Sequence, residues 1–362
     1  MLPIKRKIIF ALSGLFLVII SFTAAPADTS AEQVNSYSSL PYRELICEPG
    51  EIPSSHAPTI VELPGRELWT VWYAPVPGVS NKVPGTSNKA VLWGARKPAG
   101  AGKWAAPSIV NSAPGLSNKN PVLYLGRDNK LFLFWAEERR WFKWPRDTLK
   151  MKISGDFGRT WSEPRNVGTP VGFLPRTNPI NLIDGRILLP VYTDYTTSSA
   201  VITSRDGGMT WSAPKYILFL FGIQPTVIQR SDLSLFALTR TGMWPRLSWK
   251  TVSYNLGRNW KNQWVSNVKN PGCSLEMIKL KSGNVALVFN DSKTSRESIS
   301  IALSHDDGRT WPHVKVIDFK SGSINIYPSI IQDSSGLIHV VYSYDCRQSI
   351  AHFVTDEKWI EG

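Results

Sequence analysis

The sequence predicts an all-β protein folded as a six-bladed β-propeller. Two observations predict it: an eight-residue turn pattern recurs four times at nearly constant spacing, and a turn followed by an apolar strand recurs six times. A constant period of about fifty residues indicates an array of supersecondary units. No long stretch carries apolar residues at helical spacing, so strands are the repeating element.

The eight-residue pattern combines the residues of a tight β-hairpin turn. Its copies occupy residues 154–161, 204–211, 253–260 and 304–311, and their tryptophans are 50, 49 and 51 residues apart. In each copy an Asp or Asn side chain can accept hydrogen bonds from backbone N–H groups just ahead of it. A Gly two residues later supplies positive φ where the chain reverses, and the Trp is a large apolar packing group. Because one fold needs one active site and these residues recur in every copy, we interpret them as structural.

The second repeated element is a polar turn followed by β-branched and aromatic residues. It occupies residues 64–72, 127–135, 184–192, 231–239, 282–289 and 335–342. Such runs bounded by turn residues are typical of strands. Six units, each with room for four short strands, predict six blades in one closed array.

The two ends of this array are expected to meet. Residues 40–47 precede the first unit and residues 350–359 follow the last, so we predict that these segments pair in one sheet and close the ring. Residues 40–362 then form one propeller domain, because a closed array does not divide at the usual domain size.

The N-terminus has the features of an export signal. Basic residues at 5–7 precede an apolar run over residues 8–25, and small residues follow up to Ala27. We expect residues 1–27 to be a signal peptide and residues 28–39 a flexible leader, which predicts a periplasmic or secreted protein. Because the apolar run is long for a signal peptide, an uncleaved membrane anchor through residues 8–25 is the alternative.

The chain has three cysteines, Cys47, Cys273 and Cys346, and this odd count excludes a full disulfide framework. A bridge between Cys47 and Cys346 at the ring closure and three free thiols are both compatible with the sequence. No Cys/His cluster has metal-ligand spacing, so we predict neither a metal nor another cofactor.

The formal charge of +13 favours anionic partners through long-range attraction. Without residues 5–7 the chain keeps 38 basic and 28 acidic residues, a charge of +10. No basic run or nucleic-acid motif occurs, so nucleic acid is not the expected partner. Acidic glycans, acidic polysaccharide and anionic lipid surfaces all fit the charge. We expect a monomer.

The eight-residue pattern is the Asp-box, and from about His56 to His352 the chain resembles the sialidase (neuraminidase) superfamily of Asp-box, or BNR-repeat, β-propellers. Further motifs at residues 55–59, 120–123, 176–179, 224–226 and 327–328 resemble a divergent bacterial and plant branch. The resemblance implies an exo-α-sialidase that releases a terminal acidic sugar. It implies three arginines on the substrate carboxylate, a tyrosine nucleophile with an activating glutamate, and an aspartate as acid/base.

Several of these roles can be carried over to this sequence. Tyr327 resembles the nucleophile, while Arg240 and Arg296 resemble two of the carboxylate-binding arginines. A guanidinium suits that role because its planar fork can donate to both carboxylate oxygens and it keeps its charge. His56, Asn120, Arg176 and Gln224 stand where strands could enter the central channel, and we expect them to complete a binding pocket there.

Other roles are missing from the expected positions. His56 stands where the family has its first arginine, and Gln224 stands where it has the activating glutamate, for which we name Glu276 as a substitute. The loop of residues 73–90, where the acid/base aspartate is expected, contains no Asp or Glu. Glu137 and Glu138, beside two arginines, are either paired surface charges or carboxylates of the pocket.

Three functions remain open on the sequence alone. The first is a sialidase-like glycosidase in which Tyr327 attacks and Arg240 and Arg296 hold the carboxylate. The second is a propeller that binds acidic glycan without cleaving it, as the missing acid/base residue suggests. The third is a hydrolase for another sugar with a rearranged carboxylate set, such as Glu276 with Glu137.

Overall fold

The structure is a computed structural model that describes residues 37, 39–78, 89–113, 115–141, 144–218 and 220–362. The expected signal or anchor segment and nearly all of the leader lie outside the described residues, as do residues 79–88 of the loop that lacks acidic residues. Within one compact unit, Ser36–Gly362, the described chain is built almost wholly of antiparallel strands. No helix in the described ranges is long and apolar enough to cross a membrane.

The first three blades follow one another along the chain. Blade 1 contains β2 (His56–Leu63), β3 (Glu67–Pro75), β4 (Ala90–Lys97) and β5 (Ser108–Asn111). Blade 2 contains β6 (Ser117–Leu125), β7 (Leu131–Trp141), β8 (Trp144–Ser154) and β9 (Arg165–Asn166). Blade 3 contains β10 (Phe173–Pro175), β11 (Ile180–Asn181), β12 (Ile187–Thr193), β13 (Ser198–Ser204) and β14 (Lys215–Leu218).

The last three blades complete the ring. Blade 4 contains β15 (Ile223–Gln229), β16 (Leu235–Arg240), β17 (Leu247–Ser253) and β18 (Lys261–Lys269). Blade 5 contains β19 (Glu276–Lys279), β20 (Val285–Phe289), β21 (Ser298–Ser304) and β22 (His313–Phe319). Blade 6 contains β23 (Ile326–Gln332), β24 (Ile338–Tyr344), β25 (Ser349–Thr355) and β1 (Tyr42–Leu45), and the helix α1 (Glu357–Glu361) follows it.

The six-bladed propeller predicted from the sequence is confirmed. β1 pairs with β25, so the two ends of the described chain share one sheet, as expected. The inner strands of adjacent blades contact one another, with β12 meeting β15 between blades 3 and 4, and β23 meets β2 to close the ring. Six separate clusters of buried apolar side chains fill the gaps between adjacent blades.

The Asp-boxes lie in the turns between the last two strands of blades 2 to 5. In the first copy the Asp156 carboxylate accepts the Thr160 backbone N–H at 2.8 Å and the Thr160 hydroxyl at 2.6 Å. Gly158 has a φ of +83°, and a Cβ there would lie 2.2 Å from Trp69 of blade 1. The glycine is required both by the turn and by close packing on the preceding blade, so these boxes hold the blades together.

The cysteines are free thiols, so the alternative of a Cys47–Cys346 bridge is not realised. The Cys47 thiol contacts the Ser349 hydroxyl at 3.6 Å, whereas Cys346 is exposed in the turn between β24 and β25. Pairing of β1 with β25 therefore closes the ring without a covalent link.

Candidate functional site

The innermost strands begin at one end of the central channel, and we call this end the channel mouth. Four of these strands share one backbone irregularity near it. Ala57, Asn120, Gln224 and Tyr327 each have a positive φ, between 47° and 58°, and each precedes a proline. The strand pairing shifts register at all four positions. Because proline cannot donate to the ladder, the pairing is interrupted there, and the bulge changes the direction of the side chains.

Tyr327 lies at the centre of the mouth. The Arg240 Nη1 donates to its phenol oxygen at 2.6 Å, and the Gln224 Nε2 donates to the same oxygen at 3.4 Å. Gln224 Oε1 accepts a second bond from Arg240 at 3.2 Å, and the His56 ring lies 4.2 Å from the Tyr327 ring. The bulges therefore bring together side chains of blades 1, 4 and 6 that are distant in sequence.

Tyr192, at the end of β12, joins this group although the sequence did not single it out. Its hydroxyl accepts from Asn120 Nδ2 at 2.7 Å and from Gln224 Nε2 at 3.3 Å. Burial raises the pKa of Tyr192 well above its ordinary value, so the phenol is neutral. Its signal in the sequence was the aromatic residue that ends the repeated apolar run of residues 184–192.

Arg176 lies beneath Tyr327 and is fully buried. Its guanidinium donates to the Pro58 carbonyl at 3.3 Å and to the Pro328 carbonyl at 2.8 Å, which ties blade 3 to blades 1 and 6. Its Cζ is 5.3 Å from the centre of the Tyr327 ring. Burial lowers the pKa of Arg176, and the nearby Glu276 opposes that shift. In this position Arg176 forms the floor of the site.

Glu276 is also fully buried, at the start of β19. Its carboxylate accepts the Asn178 backbone N–H at 2.5 Å and the Ile330 backbone N–H at 3.2 Å. Burial raises the pKa of Glu276 to about 7 against the opposing charge of Arg176. Its hydrogen bonds link the innermost strands of blades 3, 5 and 6, and none of them reaches the Tyr327 hydroxyl.

His56 is held neutral beside Tyr327. Its Nδ1 is 3.0 Å from the Ser343 hydroxyl, which also accepts the Ala57 backbone N–H at 3.0 Å. The pKa of His56 lies well below its ordinary value because the ring is buried and because Arg347, Arg176 and Arg240 surround it. His56 therefore contributes no positive charge to the mouth.

Arg347 supplies a positive charge that the sequence reading missed. It lies exposed in the turn between β24 and β25, where three consecutive residues have positive φ. Among the charges that lower the pKa of His56 it ranks ahead of Arg176 and Arg240. The Arg347 charge thus acts on His56, which stands where the family has its first arginine.

Arg296 is half-buried and lies on the blade 5 side of the mouth. Its Nη2 donates to the Gly272 carbonyl at 2.8 Å and to the Pro271 carbonyl at 3.2 Å. The neighbouring Cys273 is fully buried, which raises the pKa of its thiol, while Arg240, Arg296 and Arg176 oppose that shift. The charges of all three guanidinium groups therefore act on one buried thiol.

A group of carboxylates lies on the side of blades 2 and 3. Glu138 forms an ion pair with Lys119 at 2.6 Å, and Glu137 lies 3.6 Å from Lys150. Burial raises the pKa of Asp147 to about 6, Lys119 opposes the shift, and the nearby Glu138 and Asp194 add to it. Asp147 and Asp194 carried no motif, so sequence reading did not find them.

The described residues include no group of three His, Cys, Asp or Glu side chains that could hold a metal ion. The mouth offers the phenols of Tyr327 and Tyr192, two amides, a neutral imidazole, several guanidinium groups and a set of carboxylates. Such a surface can bind an anionic, hydroxyl-rich ligand and can transfer protons to it.

Comparison with known proteins identifies the repeat and the fold. The family model described as a BNR repeat-like domain matches residues 87–340. A search of curated proteins found no match.

Several solved structures superpose on this chain. The Hadza microbial sialidase Hz136 is 17% identical with a TM-score of 0.70, over 85% of this chain and 66% of its own. The leech intramolecular trans-sialidase is 13% identical with a TM-score of 0.70, over 88% of this chain and 71% of its own. The Penicillium chrysogenum α-L-arabinanase is 13% identical with a TM-score of 0.61, over 88% of this chain and 98% of its own. The chain thus spans about two thirds of the first sialidase. At these identities the likeness is one of fold.

Proposed function

The chain belongs to the family of BNR repeat-like domain proteins, and from that premise we propose that it is a sialidase-like glycoside hydrolase that releases a terminal acidic sugar from glycans. The observation that carries the proposal is the contact between Arg240 and the Tyr327 hydroxyl, 2.6 Å long, at the mouth of a sialidase-like propeller. A guanidinium that can reach a sugar carboxylate and a phenol that can reach the anomeric carbon are thereby adjacent.

The positive side chains provide the recognition. Arg240 and Arg296 lie on the side of blades 4 and 5, and Arg347 adds a third guanidinium beside blade 1. Each can donate two parallel, charge-assisted hydrogen bonds to a carboxylate, a group that a neutral sugar lacks. The excess of basic residues over the whole chain attracts anionic glycans from a distance.

Tyr327 is the proposed nucleophile, although its surroundings differ from the family pattern. Gln224 stands beside its hydroxyl and cannot take the phenol proton, because an amide is not a base at neutral pH. The Tyr327 side chain is half-buried, so solvent can accept that proton. This arrangement supports a slower enzyme than one with a glutamate at position 224.

A propeller that binds acidic glycan without cleaving it is the second candidate. The specific observation in its favour is the same Gln224 contact, because an amide at this position serves binding better than proton transfer. Both candidates share the arginines and differ only in whether a bond is broken.

The test uses a fluorogenic sialoside with the matching arabinoside, together with calorimetric binding of a sialic acid analogue. We expect the protein to release the dye from the sialoside and Tyr327→Phe to lower kcat by about 100-fold or more while the analogue still binds. Tyr254→Phe is the control, since Tyr254 is 68% exposed in an Asp-box turn far from the mouth. Binding without dye release would support the second candidate, and undiminished activity of Tyr327→Phe would rule out this nucleophile.

We also propose that the protein is exported, on the basis of the basic and apolar start of its sequence. Cell fractionation followed by N-terminal sequencing of the mature protein tests this. A new N-terminus near residue 28 supports secretion or a periplasmic location. An intact terminus in the membrane fraction supports the anchor, and an intact terminus in the cytoplasm contradicts export.

A further inference from the structure

The proposed glycosidase needs a general acid, and the loop of residues 73–90, where the family has its acid, contains no Asp or Glu. Blade 3 has a carboxyl group at the mouth. We propose that Asp194 protonates the oxygen of the leaving group when the glycosidic bond breaks. The inference rests on the proposed function. It assigns the acid role to a different blade from the one in which the family has its aspartate.

The strand geometry directs Asp194 towards the channel. The Tyr192 side chain points into the mouth, because its hydroxyl meets Asn120 and Gln224. Side chains two residues apart along a strand point to the same side. Asp194 follows Tyr192 by two residues, directly after β12 ends at Thr193, so its carboxylate extends the same face towards the rim.

The charge of Asp194 acts on groups from four blades. It adds to the rise in pKa of Tyr73 from blade 1, Asp147 from blade 2 and Tyr192 from its own blade. In return, Arg240 from blade 4 and Lys119 from blade 2 oppose the rise in pKa of Asp194 itself. A carboxylate near all of these groups at once lies over the channel mouth.

The Asp194 carboxylate is available for a ligand. Among the described residues none forms a hydrogen bond or an ion pair with it, and its side chain is exposed. Even so, the surrounding protein atoms desolvate it enough to raise its pKa, which helps it to hold a proton. An exposed carboxyl whose pKa is raised by its surroundings suits a general acid.

The other nearby carboxylates are less suitable. Glu138 is occupied by Lys119, and Glu276 accepts two backbone N–H groups below the site. Asp147 is 5% exposed, so a sugar can reach it less easily than Asp194. Asp194 is therefore the acid that the described structure favours.

The reaction balances with these groups and water. As the bond from the anomeric carbon to the leaving oxygen breaks, the oxygen keeps the electron pair and takes the Asp194 proton. The Tyr327 oxygen bonds to the anomeric carbon, and the phenol proton passes to solvent. Water then attacks that carbon and gives a proton to the Asp194 carboxylate, while the released phenolate regains a proton from solvent. One water is added across the bond.

The test compares two substrates that differ in their need for an acid. Lactose is a poor leaving group, so sialyllactose needs protonation, whereas methylumbelliferone leaves readily without it. We expect Asp194→Asn to lower kcat/KM for sialyllactose by about 10²–10⁴-fold and for the aryl sialoside by less than about tenfold. Asp194→Glu should recover part of the activity on sialyllactose. Asp128→Asn is the control, because Asp128 is an exposed aspartate in the turn at the other end of blade 2.

The outcomes separate this inference from the proposed function. Equal losses on both substrates, or no loss on sialyllactose, would overturn the acid role of Asp194 while leaving the glycosidase intact. A folded wild-type protein that is inert on both substrates would overturn the proposed function and this inference with it.

Discussion

The raised pKa of Glu276, which lies below the site, can be tested through the pH dependence of the free energy of unfolding. The carboxyl is 1% exposed, and its pKa rises from 4.5 to about 7 on burial. The folded state therefore binds this proton more tightly than the unfolded state does. The stability that the proton contributes is complete below pH 4.5 and is lost as the pH rises through about 7. At 1.36 kcal/mol per unit of pKa, the loss amounts to about 3 kcal/mol.

Glu276→Gln removes this titration, since glutamine resembles the protonated carboxyl in shape and charge. We expect the free energy of unfolding of the variant, relative to the wild type, to increase by about 3 kcal/mol between pH 4.5 and pH 8. Denaturant unfolding followed by tryptophan fluorescence at several pH values measures it. Glu163→Gln, at an exposed position in blade 2, is the control.

The opposite result is expected if the attraction of Arg176 for the Glu276 carboxylate dominates. Arg176 is buried near Glu276 and favours the charged carboxylate. If this attraction outweighed burial, Glu276→Gln would lose stability relative to the wild type as the pH rises. Parallel curves for the two proteins would likewise contradict the reasoning.

Three further predictions concern the turns and the mouth. Gly158→Ala should lower the free energy of unfolding by about 2–5 kcal/mol, since it combines positive φ with a clash, whereas Gly283→Ala meets no atom within 4 Å and should cost only about 1–2 kcal/mol. Equal effects in denaturant unfolding would contradict the packing role of the Asp-box glycine. Gln224→Glu should raise kcat on a sialoside about tenfold or more, because a carboxylate beside Tyr327 can take its proton. An unchanged kcat would show that this proton transfer does not limit the rate. Arg347→Ala should raise KM for the acidic sugar about tenfold with little change in kcat, as steady-state kinetics would show, and an unchanged KM would remove Arg347 from the carboxylate site.

The bulges before proline explain how a motif of only two residues, repeated in four blades, can form the mouth. In four blades, a residue with positive φ and the following proline interrupt the innermost pairing at the same level of the channel. The residue at the bulge, or in blade 1 the residue just before it, then places its side chain in the mouth. The chemistry of the mouth is therefore set by side chains such as His56, Asn120, Gln224 and Tyr327.

The sequence by itself determined the architecture. Turn residues act over a few neighbours, so the Asp-box could be recognised from residues 154–161 alone, and its four copies indicated a repeated unit. The six turn-and-strand elements then indicated six blades. Apolar runs at regular intervals gave the strands, and the unmatched ends gave the closing sheet. All of these patterns are local or repeated, so they can be recognised in the sequence without knowledge of the tertiary packing.

Only the tertiary structure decided which side chains share the mouth and what each one does there. Arg176 and Arg240 look alike in sequence, yet one donates to buried carbonyls as the floor and the other meets the Tyr327 hydroxyl. Asp194 and Arg347 lie in turns without a motif, and they face the site because the ring brings together blades that are more than a hundred residues apart in the chain. The role of a charged side chain depends on its neighbours and on its exposure to solvent. Both are fixed only when the blades close around the channel.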